Sequence, residues 1–291
     1  MSCLCCLGLF QRPYKNPHVI PLQTVKYRFI FLNIAQKKSI SHRRSIAKLS
    51  FRRKISTPLN TKKENPKNQT LYTLKDKFRC LFCGGRNCPN EDYKRNPLSS
   101  LKGLNSNLID NSIYASQRPS NYLIYKYNLI NTFKMNKIGL IINVQRPGEH
   151  PYCGKNTLDE LSGFSYSPSL FSSEGIIVKL YGWKDMDVPD SFNFMLDIVK
   201  EMLFTVNEKK KVLVHCHAGK GRTGIVIACY LMFKYNISAQ EAIKKVREGR
   251  KGAIQNNEQI QFCLRFFQCI FLFFFNIFVF FSYFGFKRSF Y

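Results

Sequence analysis

Between Val212 and Gly224 the chain reads VLVHCHAGKGRTG. A run of apolar, β-branched residues ends in His215 and Cys216. Gly219, Gly221 and Gly224 follow, and Arg222 and Thr223 stand where a helix would begin. A strand end, a glycine-rich loop and a helix N-terminus together make an anion cradle. The N–H groups of His217, Ala218, Gly219, Lys220, Gly221 and Arg222 turn inward, and the helix end adds positive potential. Gly219 and Gly221 permit backbone turns that other residues resist. A thiol at the floor of such a cradle is stabilised as its thiolate, which is a nucleophile. Arg222, six residues after Cys216, presents a planar fork suited to two phosphoryl oxygens. Thr223 can donate its hydroxyl to the sulfur and ease its departure, and His215 supports the thiolate from the strand side. The chemistry this predicts is attack of Cys216 on a phosphorus atom. Its missing part is a general acid, because a thiolate has no proton to give the leaving oxygen.

Cys-x5-Arg in this setting is the signature of protein tyrosine phosphatases, and the wider HCHAGKGRTG form resembles their dual-specificity branch. INVQRPGEHPYCG, GFSYSPSLF, YGWKDMDV, HCHAGKGRTGIVIACYLMF and KKVREGRKGAIQNNEQ resemble the protein tyrosine phosphatase domain-containing protein 1 family, and FRCLFCGGRNCPNEDYKRNP resembles the lead-in before that family's catalytic domain. The likeness covers roughly residues 76–270 and leaves out 1–70 and 271–291. It implies an intracellular, cytoplasmic phosphatase with a role in cilia or centrosomes. It also implies that the acid is an Asp about thirty residues before Cys216. Asp185, Asp187 and Asp190 all lie there. Asp185 is preferred because it follows a strand directly and has Pro189 behind it, whereas Asp187 reads as a solvated loop residue and Asp190 as a helix cap. Asp185 would protonate the leaving oxygen and then, as base, activate the water that hydrolyses the cysteinyl-phosphate. Gln255 or Gln259 would position that water. Lys220 stands where the family more often has an apolar residue. Lipid phosphatases of the superfamily share a Lys there, which keeps a phosphoinositide substrate in view. His217 rims the pocket or is an exposed loop residue. Arg146 and His150 line the cleft or belong to an ordinary surface loop.

These residues need a frame. NSIYAS, KIGLIINV, GIIVKLYGW and KKVLVH read as strands, with continuous Ile, Leu and Val as in buried parallel sheets. Between them a helix opens at Pro119 and runs to about Phe133. Another carries Phe192, Met195, Leu196, Val199, Met202, Leu203 and Val206 at helical spacing. A third spans Arg222 to about Tyr235. A fourth starts with the capping-box pair Ser238 and Glu241, and a last one starts near Asn257. The alternation predicts an α/β domain over 110–270, a largely parallel sheet flanked by helices, which is the fold of the protein tyrosine and dual-specificity phosphatases by resemblance.

The chain has 291 residues and a formal charge of +27. Residues 1–79 hold 18 Lys and Arg against Glu64 and Asp76, so the excess is concentrated there. Residues 1–75 read as a basic, disordered arm that has too little apolar surface to bury. Its composition also resembles a mitochondrial transit peptide, suits an anionic membrane surface, and offers Cys3, Cys5 and Cys6 for palmitoylation. No aromatic-interleaved basic motif accompanies it, so no nucleic-acid partner is expected. Residues 76–109 are a cysteine-containing lead-in. Residues 271–291 are a Phe-rich apolar tail, which with 266–270 is long enough to cross a bilayer as a C-terminal anchor.

The 11 cysteines carry no secretory signal and are read as reduced. Cys80, Cys83 and Cys88 supply three thiols of a zinc pattern, with a fourth ligand to come from Cys153 or His150. Buried structural cysteines are the preferred reading, so no metal or cofactor is expected. Cys153 is also the first candidate for a disulfide that protects Cys216 on oxidation. The function expected is a protein phosphatase acting on phosphotyrosine, with phosphoserine and phosphothreonine as further substrates. The alternatives are a phosphoinositide phosphatase and a phospho-binding scaffold without turnover; the intact Cys216, Arg222, Thr223 and Asp185 speak against the scaffold.

Overall fold

The computed structural model describes Phe78, residues 80–155 and residues 158–283, the last eleven of these by backbone alone. The basic arm lies outside the described residues. The described residues up to Phe273 belong to one compact unit.

Five strands make one sheet: β1 (Ser106–Asp110), β2 (Ile113–Ser116), β3 (Ile138–Asn143), β4 (Ile177–Leu180) and β5 (Lys211–His215), in the order β1-β2-β5-β3-β4. β1 and β2 are antiparallel and every other pair is parallel. β5 is the middle strand, with Val212 to His215 buried, and this accounts for its unbroken apolar run. Order therefore starts before Asp110, since β1 and the three short 3₁₀ turns between Gly85 and Arg95 precede it.

One face of the sheet is covered by α1 (Asn121–Tyr127), α2 (Leu129–Met135) and the short α3 (Ser169–Ser172). Leu123, Ile124, Leu129, Phe133 and Phe171 pack there against Tyr114, Ile141 and Leu213 of the strands. The single helix expected from Pro119 to Phe133 is two. Asn128 takes a left-handed conformation (φ 48°) that ends α1 and starts α2. Asn tolerates this region better than most residues, and a one-residue break turns both apolar faces onto the sheet. The first helix begins at Asn121, capped by the Ser120 side chain.

The other face carries α4 (Phe192–Asn207), α5 (Gly221–Tyr235) and α6 (Ala239–Gly249). α5 lies between α4 and α6 and is buried from Gly221 to Phe233, so its N-terminus is fixed against the sheet. Ser238 caps α6 through the Glu241 N–H, but the Glu241 carboxylate reaches Lys245 at 3.7 Å, so only half of the expected capping box forms. α7 (Asn257–Tyr283) follows. Among the fully described residues no helix is long and apolar enough to cross a membrane. Most of the expected 266–286 span lies beyond them.

Candidate active site

β5 delivers Cys216 to the C-terminal edge of the sheet, and α5 begins five residues later. That short connection forces the loop His217–Lys220 to close tightly around whatever sits above the sulfur. Gly219 has φ +68°, and a Cβ there would lie 2.1 Å from the Ser116 carbonyl oxygen, so no other residue fits. The outward side of the loop is tied down by Arg250. Its Nε donates to the Gly219 carbonyl (3.1 Å) and its Nη2 to the Ala218 carbonyl (2.8 Å), while Nη1 donates to the Asn105 and Asn107 side chains. With their carbonyls held outward, the loop's N–H groups face the cradle.

Cys216 is buried at the floor. His215 is fully buried; its Nδ1 lies 3.3 Å from the Cys216 carbonyl and its Nε2 2.8 Å from the Tyr166 hydroxyl. Burial pushes its pKa down to about 3, so the ring is neutral. The consistent tautomer donates from Nδ1 to the carbonyl and accepts at Nε2 from Tyr166. His215 thus supports the backbone of Cys216. Thr223 is buried and its hydroxyl has no hydrogen-bond partner, so the bond to sulfur foreseen from the sequence is not formed here.

Arg222 is almost wholly buried. Nη1 donates to the Trp183 carbonyl (2.7 Å), the Val144 carbonyl (3.1 Å) and Glu149 (3.1 Å). Nη2 lies 2.8 Å from a Glu149 oxygen and 2.9 Å from Asp185 Oδ1, out of line for hydrogen bonds. Nε has no partner. The guanidinium is therefore aimed by two carbonyls and balanced by two carboxylates, with Nε and Nη2 left without hydrogen bonds.

Of the three aspartates, Asp185 is the one at Arg222. Its other oxygen accepts from His150 Nε2 at 3.2 Å. Burial pushes the Asp185 carboxyl up, but the His150 hydrogen bond and the Arg222 charge hold it well below the usual carboxylate range. Asp187 instead caps the Val188 N–H and pairs with Lys184 at 3.6 Å, and Asp190 is exposed.

Both glutamines approach Gly221, where a Cβ would lie 2.7 Å from Gln255 Oε1 and 3.0 Å from Gln259 Nε2. Gln259 is buried, accepts from the Gln255 N–H at 2.8 Å, and keeps an unpartnered Nε2. Gln255 is exposed. Before it stands Ile254, a β-branched residue at φ 56°, a strained conformation held by its N–H to the Lys220 carbonyl (3.3 Å) and by Arg247 to its own carbonyl (2.8 Å).

His217 is not an exposed loop residue. It is buried, stacked on His150 with centroids 3.8 Å apart, and its Nε2 lies 3.1 Å from Glu91. Its backbone belongs to the cradle while its side chain points into the lead-in. Lys220 is half-buried and turns toward Asn90 (3.4 Å), because the lead-in occupies the space a mouth residue would face. Arg146 is exposed. Cys153 sits in a sulfur cluster with Cys80 and Cys88, against which Cys83 packs. Its neighbours are those thiols, so the protective pairing with Cys216 is not prepared here.

The sequence reading missed four residues: Glu149, Arg250, and the buried pair Arg118–Glu91 (2.7 Å). Arg118 also donates to the carbonyls of Glu149, His150 and Cys153, and so shapes the loop that carries Glu149 and His150. An Arg before a Pro and an Arg after a helix end carry no chemical spacing. Only burial marks them.

Residues 122–269 match the family described as dual specificity phosphatase, catalytic domain. The chain is 41% identical over 215 residues to a protein tyrosine phosphatase domain-containing protein 1 from Danio rerio, covering 72% of this chain and 30% of the relative. It is 44% identical over 187 residues to the Mus musculus protein of the same name, covering 64% and 24%. The chain thus spans less than a third of the length of these curated relatives. It is also similar to the crystal structure of Tk-PTP in its active form, with TM-score 0.45 and 24% identity, covering 56% of this chain and 96% of the other.

Proposed function

We propose, for a chain that belongs to the dual specificity phosphatase catalytic-domain family, that it hydrolyses phosphate monoesters on proteins, phosphotyrosine first and phosphoserine or phosphothreonine second, through a cysteinyl-phosphate. The observation that carries this is one arrangement. Cys216 lies on the floor of a loop whose carbonyls are tied outward by Arg250, with Arg222 beside it and Asp185 2.9 Å from Arg222.

The Cys216 thiolate attacks phosphorus, and the bond from phosphorus to the leaving oxygen breaks. The loop amides and Arg222 take the charge on the equatorial oxygens. Asp185 gives its proton to the leaving oxygen. Water then attacks the cysteinyl-phosphate, Asp185 takes a proton from it, and the thiolate departs with Thr223 as donor. Gln259, with its free amide N–H, is the better placed of the two glutamines to hold that water.

An acid must hold a proton, yet Arg222 and His150 hold Asp185 ionised without substrate. A phosphoryl dianion works against this. It competes for Arg222 and offsets that charge, and with the His150 hydrogen bond given up as well, burial is left to raise the Asp185 carboxyl.

A phosphoinositide substrate is the second reading, and it rested on Lys220. That side chain is engaged with Asn90 rather than facing open solvent, which favours the protein substrate. The test is a panel of phosphopeptides and short-chain phosphoinositides turned over by the full chain. A kcat/KM at least ~10-fold higher on phosphotyrosine peptides, about 1.4 kcal/mol of transition-state preference, is the expected outcome. A reversed preference gives the site to the lipid.

A further inference from the structure

The lead-in brings a second constellation to the back of the site. Cys80 and Cys83 stand in Cys-Leu-Phe-Cys-Gly-Gly, and the chain reverses after them. Gly84 takes φ 93°, its N–H donates to the Leu81 carbonyl, and the Gly85–Asn87 turn returns the chain to Cys88. Cys153 arrives from the loop after β3, sixty-five residues on in sequence. Cys80, Cys88 and Cys153 are buried as one cluster with Cys83 against them. Within it the Sγ atoms of Cys83 and Cys153 both lie 3.7 Å from His150 Nδ1. The ligand atoms of Cys80, His150 and Cys153 fall within 4.8 Å of one another, as do those of Cys88, Cys153 and His217 and those of Cys83, His150 and His217.

Four thiols from two distant stretches of chain meet here, three of them buried. Two short spacings and one distant cysteine are the way tetrahedral thiolate sites are assembled. We infer that Cys80, Cys83, Cys88 and Cys153 hold one structural zinc ion, which staples the lead-in to the catalytic domain.

His150 and His217 border the cluster. The contacts of His217 argue against direct ligation. The Nε2 bond of His150 to Asp185 leaves its Nδ1 lone pair toward the thiols, and His150 takes an outer place because four thiols already complete a tetrahedral set. His217 Nε2 lies 3.1 Å from the Glu91 carboxylate, so it carries a proton and cannot donate a lone pair to a metal. Its distance to Cys88 Sγ, 3.8 Å, suits an N–H facing a thiolate. His150 Nδ1 lies 3.7 Å from both Cys83 and Cys153, while its Nε2 holds Asp185 at 3.2 Å. The two imidazoles are the outer shell that orients and neutralises a four-thiolate ion. Through His150 that shell reaches the carboxylate beside Arg222. Thiols that bind zinc give up their protons, and the binding free energy becomes folding free energy for the joined segments.

The site does not rest on the phosphatase reading, so its test needs no turnover. The full chain, purified without chelator in mild detergent, should carry about one zinc per chain through gel filtration, the stoichiometry of one closed structural site. A mercurial that blocks thiols should release it. X-ray absorption at the zinc edge should show sulfur alone, at about 2.3 Å. Cys83→Ser and Cys153→Ser should each lower the zinc content severalfold. A zinc-free protein from zinc-supplemented culture would overturn the site. So would a nitrogen shell at about 2.0–2.1 Å, which would move the ion onto an imidazole, or wild-type zinc content in the Cys83→Ser, Cys153→Ser double variant. The absorption spectrum of the unaltered chain keeps the question decided even if the variants do not fold.

Discussion

At the scale of single residues, the site is a contest for one guanidinium. Arg222 is shared by Glu149 and Asp185, and a phosphate bound there would compete with both for its charge. The role given to Asp185 makes a specific demand. Asp185→Asn should slow turnover of an unactivated phenyl or alkyl phosphate roughly 10²–10⁴-fold, the usual worth of general acid catalysis, and barely affect an activated aryl phosphate. Steady-state rates on a series of leaving groups check this. An equal loss across the series means that Asp185 only positions Arg222. The same pattern from Asp187→Asn would move the acid along the loop. Cys216, Arg222 and Asp185 stood out in the sequence as candidates because the proposed chemistry fixes type and spacing together, and the fold brings Asp185 to Arg222. Glu149 was not, since a lone carboxylate in a loop looks the same whether it meets solvent or a buried Arg.

At the scale of elements, β5, the cradle and α5 form one continuous buried segment, and His215 is the joint between strand and loop. Its ring is neutral and fully buried between Tyr166 and the Cys216 carbonyl. Burial lowers its pKa from the ordinary 6.5 to about 3. Below 6.5 the unfolded chain takes up a proton that the folded one refuses. Stability is then whole at neutral pH and falls as pH drops from about 6.5 toward 3, by about 1.4 kcal/mol per pH unit from this group. Urea unfolding at several pH values should show that slope, and it should shrink by this amount in His215→Gln. An unchanged slope would mean that the ring is charged in the fold. The strands and the 16-residue α4 were readable from hydrophobic periodicity. The break at Asn128 was not, because the apolar pattern runs through it and only the sheet below decides where each half must lie.

At the scale of the molecule, the lead-in is part of the catalytic body. Glu91 is buried against Arg118 and His217. Burial pushes its carboxyl up, and these two partners bring it below the usual range. Arg118 in turn holds three carbonyls of the loop bearing Glu149 and His150. Removing one partner of such a pair strands a buried charge, so Glu91→Gln should cost about 3–5 kcal/mol in denaturant unfolding. A loss under about 1 kcal/mol, the scale of an exposed pair, would show the lead-in to be loosely attached. Reading residues 76–109 as a segment before the domain followed from their lack of periodicity. Short 3₁₀ turns held by side-chain contacts and thiols have no period to read.

The central claim is that Cys216 carries the phosphoryl group. The direct measurement is rapid denaturing quench, at neutral to alkaline pH, of the full chain during turnover of a ³²P-labelled aryl phosphate, followed by mapping of the labelled peptide. The account predicts alkali-stable, acid-labile label on the peptide containing Cys216, lost in Cys216→Ser together with turnover. Turnover that persists in Cys216→Ser, or label that maps to another residue, would contradict it.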